Sequence, residues 1–495
     1  MLLARLIEGL YPYQLDERIC RKDISGISTD SRRVRSGNIF VALRGSRYDG
    51  ADFVLEAVAN GASVVVCDRQ LGFGLEKDVC FLKVDDVESF LKEIVTRFYG
   101  LPSNKLKSIG ITGTNGKTTV SYLIEAILKQ DGRSCGVLGT VNYRIGAEII
   151  PSEMTTPSFV DTQSLLAKMV ASGVEYNVME VSSHALVQGR VELINFNSAV
   201  FTNLTSDHLD YHKNRKDYFL AKARLFEGLK NDSVAVINVD DFYGRQLLSL
   251  SKGRNVTYGI DNEADVMALA IHLNIAGTEF QLVYGDRHET IQTRLVGIYN
   301  VYNILAAAAV CLNEGIDIDK IKRGIACVPI VPGRLEAVDC GQDFAIFIDY
   351  AHTQDALHNV LVALRNVTTA KIILVFGCGG DRDKSKRPLM GKVASKLADF
   401  TIITTDNPRN EDPITIINDI TAGFERENYK IVVNRTEAIY EALNMASYGT
   451  IVLIAGKGHE CYQVFNDKTI EFDERKIIRE YFGCVNEKEE GADEV

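Results

Sequence analysis

The chain has 495 residues, enough for about three domains, and its 46% hydrophobic and 24% charged content is that of an ordinary globular protein. A net charge of −11 disfavours general binding to nucleic acid or to an anionic membrane surface, so any anionic ligand has to be held by local cations or metal ions. The ten cysteines include no CxxC pair and are expected as buried reduced thiols. The N-terminus lacks a signal-peptide pattern, and no apolar run reaches the ~18 residues of a membrane span.

Residues 1–100 carry short apolar runs that predict strands over Asn38–Leu43 and Ala62–Cys67, with a helix near Phe53–Asn60 between them. Gly and Pro punctuate a break at Tyr99–Asn104. From Lys107 the pattern becomes strand, loop, helix, repeated. Strands are predicted over Ser108–Thr112, Tyr176–Val181, Ser198–Thr202 and Ser233–Ile237, and a helix over Lys117–Gln130. A second boundary falls at Val331–Arg334. Beyond it, strands are predicted over Ala345–Asp349, Ile372–Phe376, Phe400–Thr404, Lys430–Val433 and Thr450–Ala455. The alternation reads as an α/β fold in three parts, 1–100, 101–332 and 333–495, with mostly parallel sheets covered on both faces. The charged tail from Asn486 is expected to fray.

Between the strand ending at Thr112 and the helix starting at Lys117 lies Gly113-Thr-Asn-Gly-Lys-Thr-Thr119. Glycines let backbone N–H groups turn inward on phosphate oxygens, and the helix N-terminus adds partial positive charge. Gly113, Thr114, Asn115, Gly116, Lys117, Thr118 and Thr119 are therefore the candidate ATP-phosphate contacts. Lys117 would reach the β and γ phosphates, and the Thr118 hydroxyl would face Mg²⁺. The spacing departs from the usual pattern, because Ile111 stands where a glycine is common.

Further segments extend the signal: Thr155-Thr-Pro157, Glu180-Val-Ser-Ser-His184, Asp207-His-Leu-Asp-Tyr-His212, Ala221-Lys-Ala223, Asn300-Val-Tyr-Asn303, Pro332-Gly-Arg334 and Asp349-Tyr-Ala-His352. In this order, together with the loop, they resemble the Mur ligase family over nearly the whole chain. The resemblance implies an N-terminal uridine-nucleotide domain, a central ATPase domain and a C-terminal Rossmann-like domain. It also implies an activity: transfer of the γ-phosphoryl group of ATP to a substrate carboxylate, then attack of an amino acid's amine on the acyl phosphate. Positioning and charge neutralisation are most of such a protein's work.

The resemblance assigns the catalytic positions to Lys117, Glu180, His208 and Lys222. Two Mg²⁺ ions are implied, one on Thr118 and Glu180, the other on His208 and on Lys222 carbamylated by CO₂. Asn303, Arg334, Asp349 and His352 are implied around the nucleotide. Ser31, Ser46, Arg47, Tyr48, Thr155, Thr156, Ser182, Gln188 and Arg190 match positions for the UDP-MurNAc peptide. Met154 departs from the Asn often found before the paired threonines. Phe376-Gly-Cys-Gly-Gly-Asp-Arg-Asp-Lys384, Asp406-Asn-Pro-Arg409 and Gly456-Lys-Gly-His-Glu460 resemble the subgroup that adds meso-diaminopimelate to UDP-MurNAc-L-Ala-D-Glu. Arg409 would grip that amino acid's distal carboxylate in bidentate fashion and repel a lysine ammonium. Arg382, Asp406, Asn407, Pro408, Gly456 and Glu460 would hold the rest. A cytoplasmic monomer engaging neither nucleic acid nor membrane is expected. The alternatives are the same ligation with L-lysine and a P-loop NTPase or kinase that makes no amide.

Overall fold

The computed structural model describes residues 1–11, 16–45, 48–72, 74, 78–205, 207, 211–466 and 468–484. The first sheet has four parallel strands in chain order, Gly26–Ser28, Asn38–Val41, Ala62–Cys67 and Cys80–Lys83. Alternation along these strands sends side chains to opposite faces. Ile39, Val41, Val64 and Val66 pack with Phe90, Leu91 and Ile94 of the helix Val87–Tyr99. Phe40, Val65 and Cys67 pack on the other face with Val54 and Ala57. Gly100, in the left-handed conformation at φ 72°, ends that helix and opens the predicted break.

The second sheet has eleven strands, and its centre is parallel. Lys107–Thr112 lies between Phe196–Phe201 and Tyr176–Glu180. These strands are almost wholly buried because helices cover both faces. Lys117–Gln130 and Ile298–Asn313 pack on one side, and Phe159–Ala171 and Arg215–Glu227 on the other. Both edges are antiparallel: Asn142–Ile145 with Glu148–Pro151, and Val266–Asn274, Gly277–Tyr284 and Arg287–Thr293. The expectation of a mostly parallel sheet holds at the centre and not at these margins. Edge strands are half exposed, so their polar residues interrupt the apolar runs that mark a buried strand.

The third sheet runs Glu336–Ala337, Ala345–Asp349, Ile451–Ala455, Ile372–Phe376, Phe400–Ile403, Tyr429–Ile431. All pairs are parallel except the first. The last parallel strand in the chain, Ile451–Ala455, inserts between the first two. The loops after Asp349, Phe376, Ile403 and Ala455 therefore crowd one end of the sheet, the carboxyl end at which open α/β sheets bind ligands. A separate hairpin, Tyr462–Phe465 with Lys468–Glu471, follows.

The cysteines correct one expectation. Cys340 and Cys484 are joined as a disulfide, with Cα atoms 6.0 Å apart. Cys327 and Cys461 are exposed, whereas Cys67, Cys80, Cys135, Cys311 and Cys378 are buried. Among the described residues, no helix is long and apolar enough to cross a membrane.

Buried charge ties the C-terminal elements together. Arg435 and Glu474 are both fully enclosed. Arg435 Nε donates to Glu474 Oε1 at 2.8 Å and Nη2 to the Ala455 carbonyl at 2.8 Å, so the helix Glu474–Phe482 is fastened to the end of a central strand. Burial pushes the Glu474 carboxyl up, and Arg435 opposes that shift. Removing one partner strands the other charge. Arg435→Met or Glu474→Leu should each lower unfolding free energy by about 3–5 kcal/mol, and the double variant Arg435→Met/Glu474→Leu by clearly less than the sum. Urea denaturation of the three variants checks this; additive losses would show that the pair is not coupled.

Candidate active site

The loop after Thr112 is shaped by two glycines in conformations that L side chains avoid, Gly113 at φ 148° and Gly116 at φ 91°. A Cβ on Gly113 would strike Thr202 Oγ1, and one on Gly116 would strike Asn303 Oδ1. The loop is held from the neighbouring strand end. Thr202 Oγ1 donates to the Asn115 carbonyl at 2.6 Å, Asn115 N to Asn203 Oδ1 at 3.0 Å, and Thr114 N to the Asn203 carbonyl at 2.8 Å. Thr202 and Asn203 carry no motif by themselves, and the sequence reading passed over them.

Three basic side chains meet at this loop. Lys117 Nζ donates to the carbonyls of Gly113 (2.9 Å) and Thr114 (2.8 Å). Lys222 Nζ, from the buried face of the helix Arg215–Glu227, donates to the same Gly113 carbonyl at 2.9 Å. Arg334 Nη2 reaches across from the C-terminal part and donates to Thr118 Oγ1 at 3.3 Å. Burial lowers the affinity of both lysines for a proton. For Lys222 the nearby Lys117 pushes the same way, and its pKa falls well below the usual lysine value.

Glu180 is the buried anion facing these groups. It accepts from Thr118 Oγ1 at 3.1 Å, Thr140 N at 2.9 Å and Thr140 Oγ1 at 2.9 Å. Thr140 is a further contact that the sequence reading missed. His208 lies outside the described residues. Asn303 is buried against Gly116 and donates from Nδ2 to Asn300 Oδ1 at 3.0 Å. Asp349 accepts backbone N–H groups of Leu335 (2.6 Å) and Ala351 (2.8 Å), while burial raises its pKa to about 6. His352 sits in the same loop, with Nδ1 2.8 Å from the Tyr350 carbonyl.

Of the residues matched to the muramyl substrate, Thr155, Thr156, Ser182, Gln188 and Arg190 gather beside Glu180. Thr155 Oγ1 is 3.1 Å from Thr140 Oγ1. Thr156 Oγ1 donates to the Glu180 carbonyl at 2.9 Å and accepts from Ser182 N at 3.0 Å. Arg190 donates from Nε to Gln188 Oε1 at 2.8 Å, and from Nη1 to the Thr156 carbonyl at 3.0 Å and Met154 Sδ at 3.2 Å. The departure at Met154 thus places a soft thioether against the arginine. Ser31 is buried and donates to Glu56 Oε2 at 2.6 Å. Two residues on, Arg33 pairs with Asp161 at 2.7 Å and brings this turn beside the Thr155 loop. Tyr48 is exposed and packs edge-on against Phe53, and Ser46 and Arg47 lie outside the described residues.

The third cluster joins the loops after Phe376, Ile403 and Ala455. Asn407 Nδ2 donates to Glu460 Oε2 at 2.9 Å, and Arg409 Nη1 donates to the Gly380 carbonyl at 2.8 Å. Asp406 Oδ1 accepts from Asn407 N at 2.7 Å. The Pro408 carbonyl accepts from Glu411 N at 3.0 Å. A Cβ on Gly379 would lie 2.9 Å from Arg409 Nη1 and 3.9 Å from Arg382 Cγ, so both arginines flank that glycine. Gly456, at φ 115°, lies against Asp406; a Cβ there would come within 2.7 Å of Asp406 Oδ2.

The Pro332-Gly-Arg334 turn is packed rather than free. A Cβ on Gly333 would lie 2.7 Å from the Gly458 carbonyl carbon. The Arg334 guanidinium sits 4.9 Å from the Tyr350 ring centroid, and that ring is 4.9 Å from His459. A continuous line of contacts therefore runs from Thr118 through Arg334, Tyr350 and the 456–460 loop to Asn407.

A model described as the Mur ligase middle domain matches residues 111–311, one described as the Mur ligase, glutamate ligase domain matches 333–458, and one described as the Mur ligase family, catalytic domain matches 23–99. A Clostridium botulinum protein named UDP-N-acetylmuramoyl-L-alanyl-D-glutamate–2,6-diaminopimelate ligase is 44% identical over 463 residues, 93% of this chain and 95% of that protein. A protein of the same name from Syntrophomonas wolfei is 43% identical over 485 residues, 97% of this chain and 99% of its own. A solved structure of an enzyme of that name superposes with a TM-score of 0.65 at 33% identity, over 98% of this chain and 99% of that one.

His459 offers a pH test of this packing. Burial first, and then the charges of Arg334, Arg475, His352 and Lys457, lower its pKa to about 3. Part of the ring reaches the rim, but Nδ1 is enclosed with no hydrogen-bond partner among the described residues. Below the ordinary histidine pKa of about 6.5 the unfolded chain takes up a proton that the folded one refuses, so stability falls as pH drops from about 6.5 towards 3. The loss at pH 5 should be about 1–2 kcal/mol relative to pH 7.5. His459→Gln should lose that part of the dependence in denaturant titrations at the two pH values; equal slopes would exonerate His459.

Proposed function

The chain belongs to the Mur ligase family, and on that premise we propose that it is an ATP-dependent, ADP-forming ligase joining meso-diaminopimelate to UDP-MurNAc-L-Ala-D-Glu in peptidoglycan precursor synthesis. One observation carries the reading most: Arg334 donates to Thr118, which ties the C-terminal part that bears Asn407 and Arg409 to the phosphate loop, as a reaction between an acceptor amine and an activated carboxylate needs. Residues 1–100, 101–332 and 333–495 then serve as the domains for the uridine nucleotide, ATP and the added amino acid. The reading carries with it a cytoplasmic monomer that engages neither membrane nor nucleic acid.

The chemistry follows from charge. A carboxylate oxygen of the D-glutamate residue attacks the γ-phosphorus, and ADP leaves. The backbone N–H groups of Gly113–Thr119 and the Lys117 ammonium take up the charge that develops on the phosphoryl oxygens. The neutral amine of diaminopimelate then attacks the acyl carbon. The tetrahedral adduct collapses, expels inorganic phosphate and loses the amine proton. Thr155, Thr156, Ser182, Gln188 and Arg190 hold the muramyl peptide on one side of Glu180. Asn303, Asp349 and His352 border the nucleotide on the other.

The donors around Glu180 fit Mg²⁺. Thr118, Thr140 and Glu180 present oxygen atoms within hydrogen-bond distance of one another, the ligand type a hard cation takes. Among the described residues, no group of three or more His, Cys, Asp or Glu is gathered for a metal, so phosphate and carbamate oxygens have to complete the sets. When bound, the two ions neutralise phosphate charge; Thr118 and Glu180 would hold one, and His208 and carbamylated Lys222 the other. Lys222 suits carbamylation, because its buried amine favours the neutral form that attacks CO₂ with loss of a proton. With ¹³CO₂ supplied, wild type should show a carbamate carbonyl resonance that Lys222→Arg lacks, together with at least a hundredfold lower ligation rate in the variant. A fully active Lys222→Arg variant would remove the carbamate.

Arg409 is the acceptor selector, with Arg382 beside it and Asp406, Asn407, Pro408, Gly456 and Glu460 completing the pocket. Wild type should use meso-diaminopimelate far better than L-lysine. Arg409→Ala should raise the diaminopimelate KM roughly a hundredfold, the loss of a charge-assisted pair, with the ATP KM unmoved. L-Lysine serving wild type equally well would sink the specificity claim.

A further inference from the structure

Lys457, between Gly456 and Gly458, is a lysine with no exposed surface in a loop of the acceptor site. Its Nζ donates to Asn407 Oδ1 at 3.0 Å and to Glu460 Oε2 at 3.2 Å. Asn407 Oδ1 takes a second donor, Val464 N, at 3.1 Å. An amide group that receives two donors on one atom presents its oxygen there, so the Asn407 NH₂ is directed at Glu460 Oε2, 2.9 Å away. The ammonium thereby sets the orientation of both side chains.

Gln463 works on the same loop from the hairpin. It is 4% exposed, and its Nε2 donates to the carbonyls of Asp406 (2.9 Å) and Thr405 (3.4 Å). The hairpin strand Tyr462–Phe465 then pairs with Arg409 itself. Arg409 N donates to the Val464 carbonyl at 3.0 Å, and Asn466 N to the Arg409 carbonyl at 2.7 Å. Arg409 has φ 51°, a left-handed conformation that costs a non-glycine residue energy unless its surroundings impose it. These bonds impose it.

We propose that Lys457 and Gln463 are positioning residues for acceptor selectivity, clamping Thr405–Arg409 onto the hairpin so that Asn407, Glu460 and Arg409 meet the amino acid in one fixed arrangement. Neither residue touches the reacting atoms in this scheme. The clamp rests on the reading of Asn407 and Arg409 as acceptor contacts. It adds that selectivity depends on a loop geometry set by two buried donors, so the ligand contacts are not sufficient by themselves.

The test uses the full chain as Lys457→Met and Gln463→Met, which keep an unbranched side chain of similar size and remove the donors, alongside Arg409→Ala. Each clamp variant should raise the diaminopimelate KM about tenfold, with kcat at saturating amino acid within about threefold of wild type. The KM values for ATP and for the UDP-MurNAc dipeptide should stay within about twofold, and the preference for diaminopimelate over L-lysine should shrink. A clamp that only supported the fold would depress Tm, kcat and all three KM values together; that pattern overturns the proposal. An unchanged diaminopimelate KM in both clamp variants while Arg409→Ala raises it also overturns the clamp and leaves the acceptor site standing. An unchanged KM in Arg409→Ala overturns the acceptor reading, and the clamp with it. Where Lys457→Met does not fold, Gln463→Met alone decides the outcome, because it removes only two bonds to backbone carbonyls.

Discussion

The structure turns on a cluster of basic side chains gathered at one loop. Two lysine Nζ atoms share one carbonyl oxygen, that of Gly113, and an arginine from another part of the chain reaches the hydroxyl of Thr118, five residues on. Like charges in a dry site repel strongly, and Glu180 is the anion whose contacts are laid out against them. Such an arrangement is stable when further negative charge enters, from phosphate or from a carbamate on Lys222. The acidic chain as a whole would repel a polyphosphate. The loop, the helix N-terminus and these cations attract it locally, which is how a protein of net charge −11 binds an anion.

Around this centre the sheets act as rigid rests. Gly113 follows a central strand of the eleven-stranded sheet, and Glu180 closes the strand beside it. Thr202 and Asn203 close the strand on the other side and hold the loop from there. In the C-terminal sheet, the loops after Ile403 and Ala455 are joined through Asn407, Lys457 and Glu460. Ion pairs on enclosed arginines fasten the surroundings: Arg435 with the equally buried Glu474, and Arg387 with Glu411 and the more exposed Asp419, Glu411 being held by Arg387 well below its usual pKa, at about 2. Such pairs cost desolvation energy on folding, and what they supply is a single arrangement of the loops between them.

Much of the site was legible because its signals are local. Gly113–Thr119 needs a strand, glycines at two positions of positive φ and a helix start, all within a few residues. Central strands such as Ala62–Cys67, Ala345–Asp349 and Ile372–Phe376 matched their predicted bounds, since a strand buried on both faces leaves an uninterrupted apolar run. The hairpins at 142–151, 266–293 and 462–471 left no such run. The disulfide between Cys340 and Cys484 has no local signature either, its partners being 144 residues apart.

The sequence by itself therefore determined the α/β class, the strand, glycine loop and helix start around Gly113–Thr119 and, through motifs in family order, the family to which the chain belongs. Tertiary structure alone decided which residues of the site meet. Thr140 reaches Glu180 across 40 residues, Lys457 reaches Asn407 across 50, Gln463 reaches Asp406 across 57 and Arg334 reaches Thr118 across 216. The physical reason is that a threonine, a lysine or a glutamine has the same local preferences whether it is solvated or buried. Its partner is set by which strand ends the sheet order places side by side, and no window of neighbouring residues encodes that order.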